Sequence, residues 1–97
     1  LNEICINDTK YIKKIMDKLY DILINDISVN NNIRAYHALY GIYLDNKDIN
    51  GLLLLCEEMK NNTEPMIKQG SIEFLEKYKT APENYTFDEF TKHLFSR

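Results

Sequence analysis

The sequence predicts an all-α domain of four to five antiparallel helices, packed as a compact helical bundle or as a short, solenoid-like array of α-hairpins. Three observations point there. Only 3 Gly and 2 Pro punctuate 97 residues, whereas an all-β domain needs a turn residue about every 8–12 positions. Apolar residues recur at three- and four-residue spacing through most of the chain, the period of a helix face. Most of the periodic stretches open on a residue able to cap a helix N-terminus. A 44% hydrophobic share suffices for a core, although a domain this small buries only roughly 60–65% of the surface its unfolded chain exposes. The length suits one helical domain over residues 1–97, either whole or as a piece of a longer chain.

The elements follow in order. Residues 1–7 form a short apolar lead. A first helix is predicted from about Thr9 to Asp26, capped by Asp8 or Thr9. Its stripe of Ile12, Ile15, Met16, Leu19, Ile22 and Leu23 lies opposite Lys14, Asp17, Asp21 and Asn25. The Asn-rich segment from Ile27 to Asn31 reads as a connector, because Asn tolerates turn conformations. A second helix from about Asn32 to Asp45 carries a wide apolar arc of Ile33, Ala35, Tyr36, Leu39, Tyr40, Ile42, Tyr43 and Leu44. An arc of roughly 200° requires neighbours on two sides. After a tight turn at Asn46-Lys47, Asp48 caps a third helix that ends near Lys60. Ile49, Leu52, Leu53, Leu55, Cys56 and Met59 form its core face, and Leu54 points away from it.

Thr63 is the expected cap of a fourth helix, with Pro65 in its first turn. This helix runs to about Lys79 and presents Ile67, Ser71, Phe74, Leu75 and Tyr78 on one side. Gly70 inside it suggests a kink or a close helix contact, with two shorter helices broken at Gly70-Ser71 as the alternative. A loop around Ala81-Pro82 leads to the strongest start signal in the chain. Thr86 and Glu89 form a capping box, while Tyr85 and Phe90 occupy the positions of a hydrophobic staple.

The stretch Tyr36-His37-Ala38-Leu39, Tyr43 and Leu52 to Met59 resembles one pentatricopeptide repeat over residues 34–60. It is less closely similar to a tetratricopeptide repeat, through Leu39, Tyr43 and Pro65. The resemblance implies stacked helical hairpins and an RNA-binding helical-repeat segment as one functional alternative. It would put the base-reading positions at Ala38, where the family uses a small polar residue, and near Lys68, where it uses Asp or Asn.

Composition restricts the chemistry. A formal net charge of −3 is the opposite of the basic face a nucleic-acid domain presents. Two cysteines, Cys5 and Cys56, are too few for a disulfide-built secreted domain. Two reduced thiols are expected, with a single Cys5–Cys56 bridge as the alternative. No signal peptide is visible, and the longest apolar run, Leu52 to Cys56, falls far short of the ~20 residues that span a bilayer. An intracellular, cytoplasmic location without membrane contact is therefore expected. The N-x-T sequons at Asn7, Asn61 and Asn84 are ordinary in so Asn-rich a chain.

His37 and His93 are the two histidines. Glu89 and His93 share a helix face, but a structural zinc normally takes four ligands, so no metal or cofactor is expected. Cys56 has Leu55 and Glu57 beside it, without the base or cation that activates a thiol. No phosphate-binding glycine loop exists. No catalytic residue can be assigned, and an enzyme is not expected. The leading expectation is a protein–protein interaction or adaptor module whose partner is another protein. Its candidate surface is the Tyr36, Tyr40, Tyr43 stripe with His37 and Leu54, because Tyr offers a large rigid contact area with a hydroxyl. Beside the RNA-binding reading stands a third, a small helical immunity- or antitoxin-type neutralising protein.

Overall fold

The computed structural model describes residues 9–95, which hold five α-helices and no strand. These are α1 (Thr9–Asn25), α2 (Val29–Asp45), α3 (Ile49–Met59), α4 (Pro65–Thr80) and α5 (Phe87–Phe95). The all-α class predicted from punctuation and periodicity is the observed one. The apolar lead of residues 1–7, with Cys5 and Asn7, and the side chains of Asp8 and Thr9 lie outside the described residues. The chain divides into two compact units, Leu1–Ile42 and Tyr43–Arg97, with the boundary inside α2.

In the first unit Leu23, Ala35, Tyr36 and Leu39 are buried, and Ile12, Met16, Leu19 and Ile22 of the α1 stripe are half-buried; Ile15, expected in the same stripe, is exposed, at its edge. The corner between α1 and α2 differs from its sequence-based reading. Helix α2 begins at Val29 rather than Asn32, because Ser28 caps it. The Ser28 Oγ accepts from the Asn31 N–H at 3.3 Å, and the Ser28 N–H itself donates to Asp26 Oδ1 at 2.7 Å. The asparagines that read as a connector instead lie in the first turn. Asn32 Nδ2 donates to the carbonyls of Ile22 (2.8 Å) and Asp26 (3.0 Å); the first also accepts from the Asp26 N–H, and the second lies past the end of α1, where carbonyls lack helical partners. Further along α2, a Cβ built on Gly41 meets nothing within 4 Å. Gly41→Ala is therefore expected to stabilise the chain by roughly 0.5–1 kcal/mol through helix propensity alone, measurable as a raised urea midpoint at unchanged slope.

In the second unit α3 packs on α4 and α4 on α5. The turn before α3 has the geometry its residues require. Lys47 takes a left-handed backbone (φ 56°), and Asp48 caps α3 by accepting from the Gly51 N–H at 2.9 Å. Of the predicted core face of α3, Leu52, Leu55 and Cys56 are fully buried and Met59 nearly so, while Ile49 and Leu53 are half-buried at its margin. Opposite them α4 contributes Ile67, Ser71 and Phe74, all fully buried. Ser71 satisfies its hydroxyl by donating to the Ile67 carbonyl at 2.9 Å, so it enters an apolar core without an orphaned group.

For α4 the cap is corrected, while the reading as one helix, with two shorter ones as the alternative, holds. Its N-cap is Glu64, whose carboxylate accepts from the Met66 N–H at 3.1 Å, and not Thr63, which is exposed. Pro65 decides this. It takes the first helical position and holds the residue before it in extended geometry (φ −80°, ψ 119°). Asn62 then stabilises the approach by accepting from the Glu64 N–H at 2.8 Å. Helix α4 also runs unbroken through Gly70; the fully buried faces of Ile67, Ser71 and Phe74 on either side of that residue hold it helical. The capping box of α5 forms in full, with Glu89 Oε1 accepting from the Thr86 N–H (2.9 Å) and Thr86 Oγ1 accepting from the Glu89 N–H (3.1 Å).

Candidate protein-binding surface

The sequence-predicted surface residues take different environments. Tyr36 is 2% exposed, a core residue, with its ring 5.9 Å from that of Tyr40 and 5.7 Å from that of His37. Tyr40 and Tyr43 are half-buried and His37 is exposed. The Tyr43 ring lies where a side chain at Gly51 would go. Leu54 is 67% exposed, and its helical neighbours Asn50, Glu57 and Glu58 are exposed polar groups. A single leucine within a polar surround is ordinary. The structure thus brings Tyr36, His37 and Tyr40 into one ring cluster, ties Tyr43 to α3, and leaves Leu54 alone on the wet face of α3.

A more developed surface lies in the second unit, around the α4–α5 connection. Pro82 follows the end of α4, where the Ala81 N–H donates to the carbonyl of Lys77 at 3.0 Å and Ala81 turns to extended backbone (ψ 138°). The chain therefore leaves the helix sharply, as a residue before proline must, and the capping box restarts it at α5. Between these points opens a depression of about 510 Å³. Ile49, Tyr78, Pro82, Tyr85, Phe87 and Phe90 supply its apolar lining. Phe90 forms the floor at 6% exposed, while Tyr78 and Tyr85 stand as walls at 44% and 39% exposed. The floor is rigid because its rings interlock: Phe90 meets Phe74 edge-on at 5.7 Å and Tyr78 at 5.8 Å, and Phe74 stacks on Tyr78 at 6.5 Å. Such pairs add specific geometry beyond area burial.

Tyr85 is held from its outer side by His93, ring to ring at 6.0 Å, and His93 Nε2 lies 3.3 Å from Thr80 Oγ1. The charged lining residues are Lys47, Lys79 and Glu83. Among the described residues no cluster of three or more His, Cys, Asp or Glu side chains is placed to hold a metal ion. Glu89, the helical neighbour of His93, spends its carboxylate on the α5 cap. Cys56 is fully buried, and its only possible intrachain disulfide partner, Cys5, lies outside the described residues. No helix among them is long and apolar enough to cross a membrane.

The sequence reading did not assemble this depression. Its one local signal is aromatic density, with Tyr78, Tyr85, Phe87 and Phe90 flanking Pro82; the approach of Lys47 and Ile49 from the preceding turn is a tertiary event. No protein-family model, no curated protein and no solved structure matches the chain.

Proposed function

We propose that this chain is a non-catalytic protein-binding module, and that the aromatic depression of its second unit is the contact surface. The observation that carries this reading is the exposure of Tyr78 and Tyr85 above a rigid, buried floor. Aromatic side chains with exposed, preorganised faces are the groups that dominate binding energy at protein interfaces. The lining contains no His or Cys, and its one hydroxyl outside the tyrosines, that of Thr86, is committed to the cap of α5.

Affinity capture from the native source, with the wild-type chain and with Tyr85→Ala, tests the reading. Tyr85 is 39% exposed and packs on His93, so its loss costs about 1–2 kcal/mol of stability, and circular dichroism is used to establish that the variant is folded before capture. The expected result is one or more proteins retained by the wild type and depleted several-fold by the variant. Recovery of nucleic acid in place of protein, with retention falling steeply as salt rises, would overturn it in favour of an RNA-binding segment.

A further inference from the structure

We propose that the depression takes an acidic peptide segment of the partner, an apolar side chain entering between Tyr78 and Tyr85 with flanking carboxylates on Lys47 and Lys79. This rests on the protein-binding reading and names the chemistry of what that same site receives.

The first support is charge. In a chain of net charge −3, the depression is lined by two lysines against one carboxylate, Glu83. Neither lysine makes an ion pair among the described residues; the pairs found there are Lys13–Asp17 and Lys60–Glu57. Charges at an interface rim set which partner is accepted and how fast it arrives.

The second support is independent of the first. Lys47 is the one non-glycine residue with positive φ among the described residues. Glycine would take that conformation without steric penalty, and asparagine takes it more readily than lysine. The turn uses only the backbone here: the Lys47 N–H donates to the Leu44 carbonyl at 3.0 Å and the Asp48 N–H to the Tyr43 carbonyl at 2.8 Å. No hydrogen bond in the turn requires a lysine side chain, yet that side chain lines the depression. The two backbone bonds close the end of α2 as a Schellman cap, which accounts for the left-handed backbone. They do not account for lysine where glycine is the easier residue, and that choice points to a role for its side chain in the depression.

Shape supplies the third. The walls formed by Tyr78 and Tyr85 stay open to solvent. A small free ligand generally needs 70–90% of its surface enclosed. An open trough suits a side chain delivered by a peptide, whose backbone and neighbours extend the contact.

The probe is the peptide acetyl-Gly-Glu-Glu-Phe-Glu-Glu-Gly-amide, titrated into the full ¹⁵N-labelled chain and followed by amide shifts. Its counterpart has every Glu replaced by Gln. The expected result is saturable shifts at Lys47 and within residues 78–90, with the Gln peptide binding about tenfold more weakly. Lys47→Gly is expected to raise the melting temperature by relieving the left-handed lysine, while weakening the acidic peptide several-fold and leaving the Gln peptide unchanged. A merely structural lysine would not separate these effects. Equal affinity for the two peptides, or full affinity in Lys47→Gly, overturns the charge assignment. Absence of shifts at the trough with the acidic peptide overturns it as well. In each of those cases the capture experiment with Tyr85→Ala still decides the protein-binding reading, because it does not depend on the charge of any chosen peptide.

Discussion

Phe74→Ala is expected to remove about 3–5 kcal/mol of stability, the range for deleting a fully buried aromatic ring. Phe74 is 0% exposed, and its ring contacts those of both Tyr78 and Phe90. Its loss therefore opens a cavity under α5 as well as losing apolar burial on α4. Against a usual total of 5–15 kcal/mol for a domain, this leaves the second unit marginal or unfolded at 37 °C. Each kcal/mol corresponds to roughly 4–8 °C in a chain of 60–100 residues. Helical circular dichroism followed through a thermal melt measures the effect directly. Phe95→Ala on the same helical pair is the control: at 61% exposed, it is expected to change stability by about 0.5 kcal/mol or less. Equal effects of the two substitutions would mean that the α4–α5 interface is not the core described here.

Gly51→Ala is the second large effect, and its sign is opposite to that of Gly41→Ala. Both replace a helical glycine with the best helix former, which by propensity alone is worth about 1 kcal/mol. A Cβ at Gly51 would overlap the Tyr43 ring and lie 2.7 Å from Asp48 Oδ2. Tyr43 must then swing away, and the Asp48 cap, which accepts from the Gly51 N–H, is pushed off its position. Overpacking costs about 1–3 kcal/mol and a lost cap about 1 kcal/mol, so a net destabilisation of about 1–3 kcal/mol is expected. Urea denaturation of Gly51→Ala alone and in a Tyr43→Leu background checks the mechanism. The penalty is expected to shrink in the double variant, the non-additivity of residues in direct contact. An undiminished penalty would place the strain elsewhere.

The helices were legible in the sequence wherever a single local cause decides them. The core faces of α3 and α4 follow from 3.6-residue spacing, and Leu52, Leu55, Cys56, Ile67 and Phe74 are all fully buried as that spacing requires. The start of α5 was legible because both halves of its capping box lie within four residues. Boundaries that depend on a competing partner were not. Asparagine favours turns by propensity, but Ser28, itself held by Asp26, caps α2 at Val29 and draws Asn30 and Asn31 into its first turn. Thr63 is a better cap than Glu64 by preference, yet Pro65 fixes the position regardless.

The candidate site was less legible for a related reason. The Tyr36, Tyr40, Tyr43 stripe is periodic, and periodicity says that residues share a face without saying what covers it. Burial then separates Tyr36 in the core from Tyr40 and Tyr43 at its margin. The depression depends on how the chain turns at Pro82 and on what the α2–α3 turn brings beside it, and neither is written in any one segment.

The most direct test of the protein-binding surface is site-specific photocrosslinking in an extract of the native source. One chain carries p-benzoylphenylalanine in place of Tyr85, on the wall of the depression; another carries it in place of Asp17, on the exposed polar face of α1. A discrete protein adduct from the first position and none from the second is the expected result. Equal adducts from both positions, or adducts to nucleic acid alone, would contradict the assignment of the aromatic depression as a protein-binding surface.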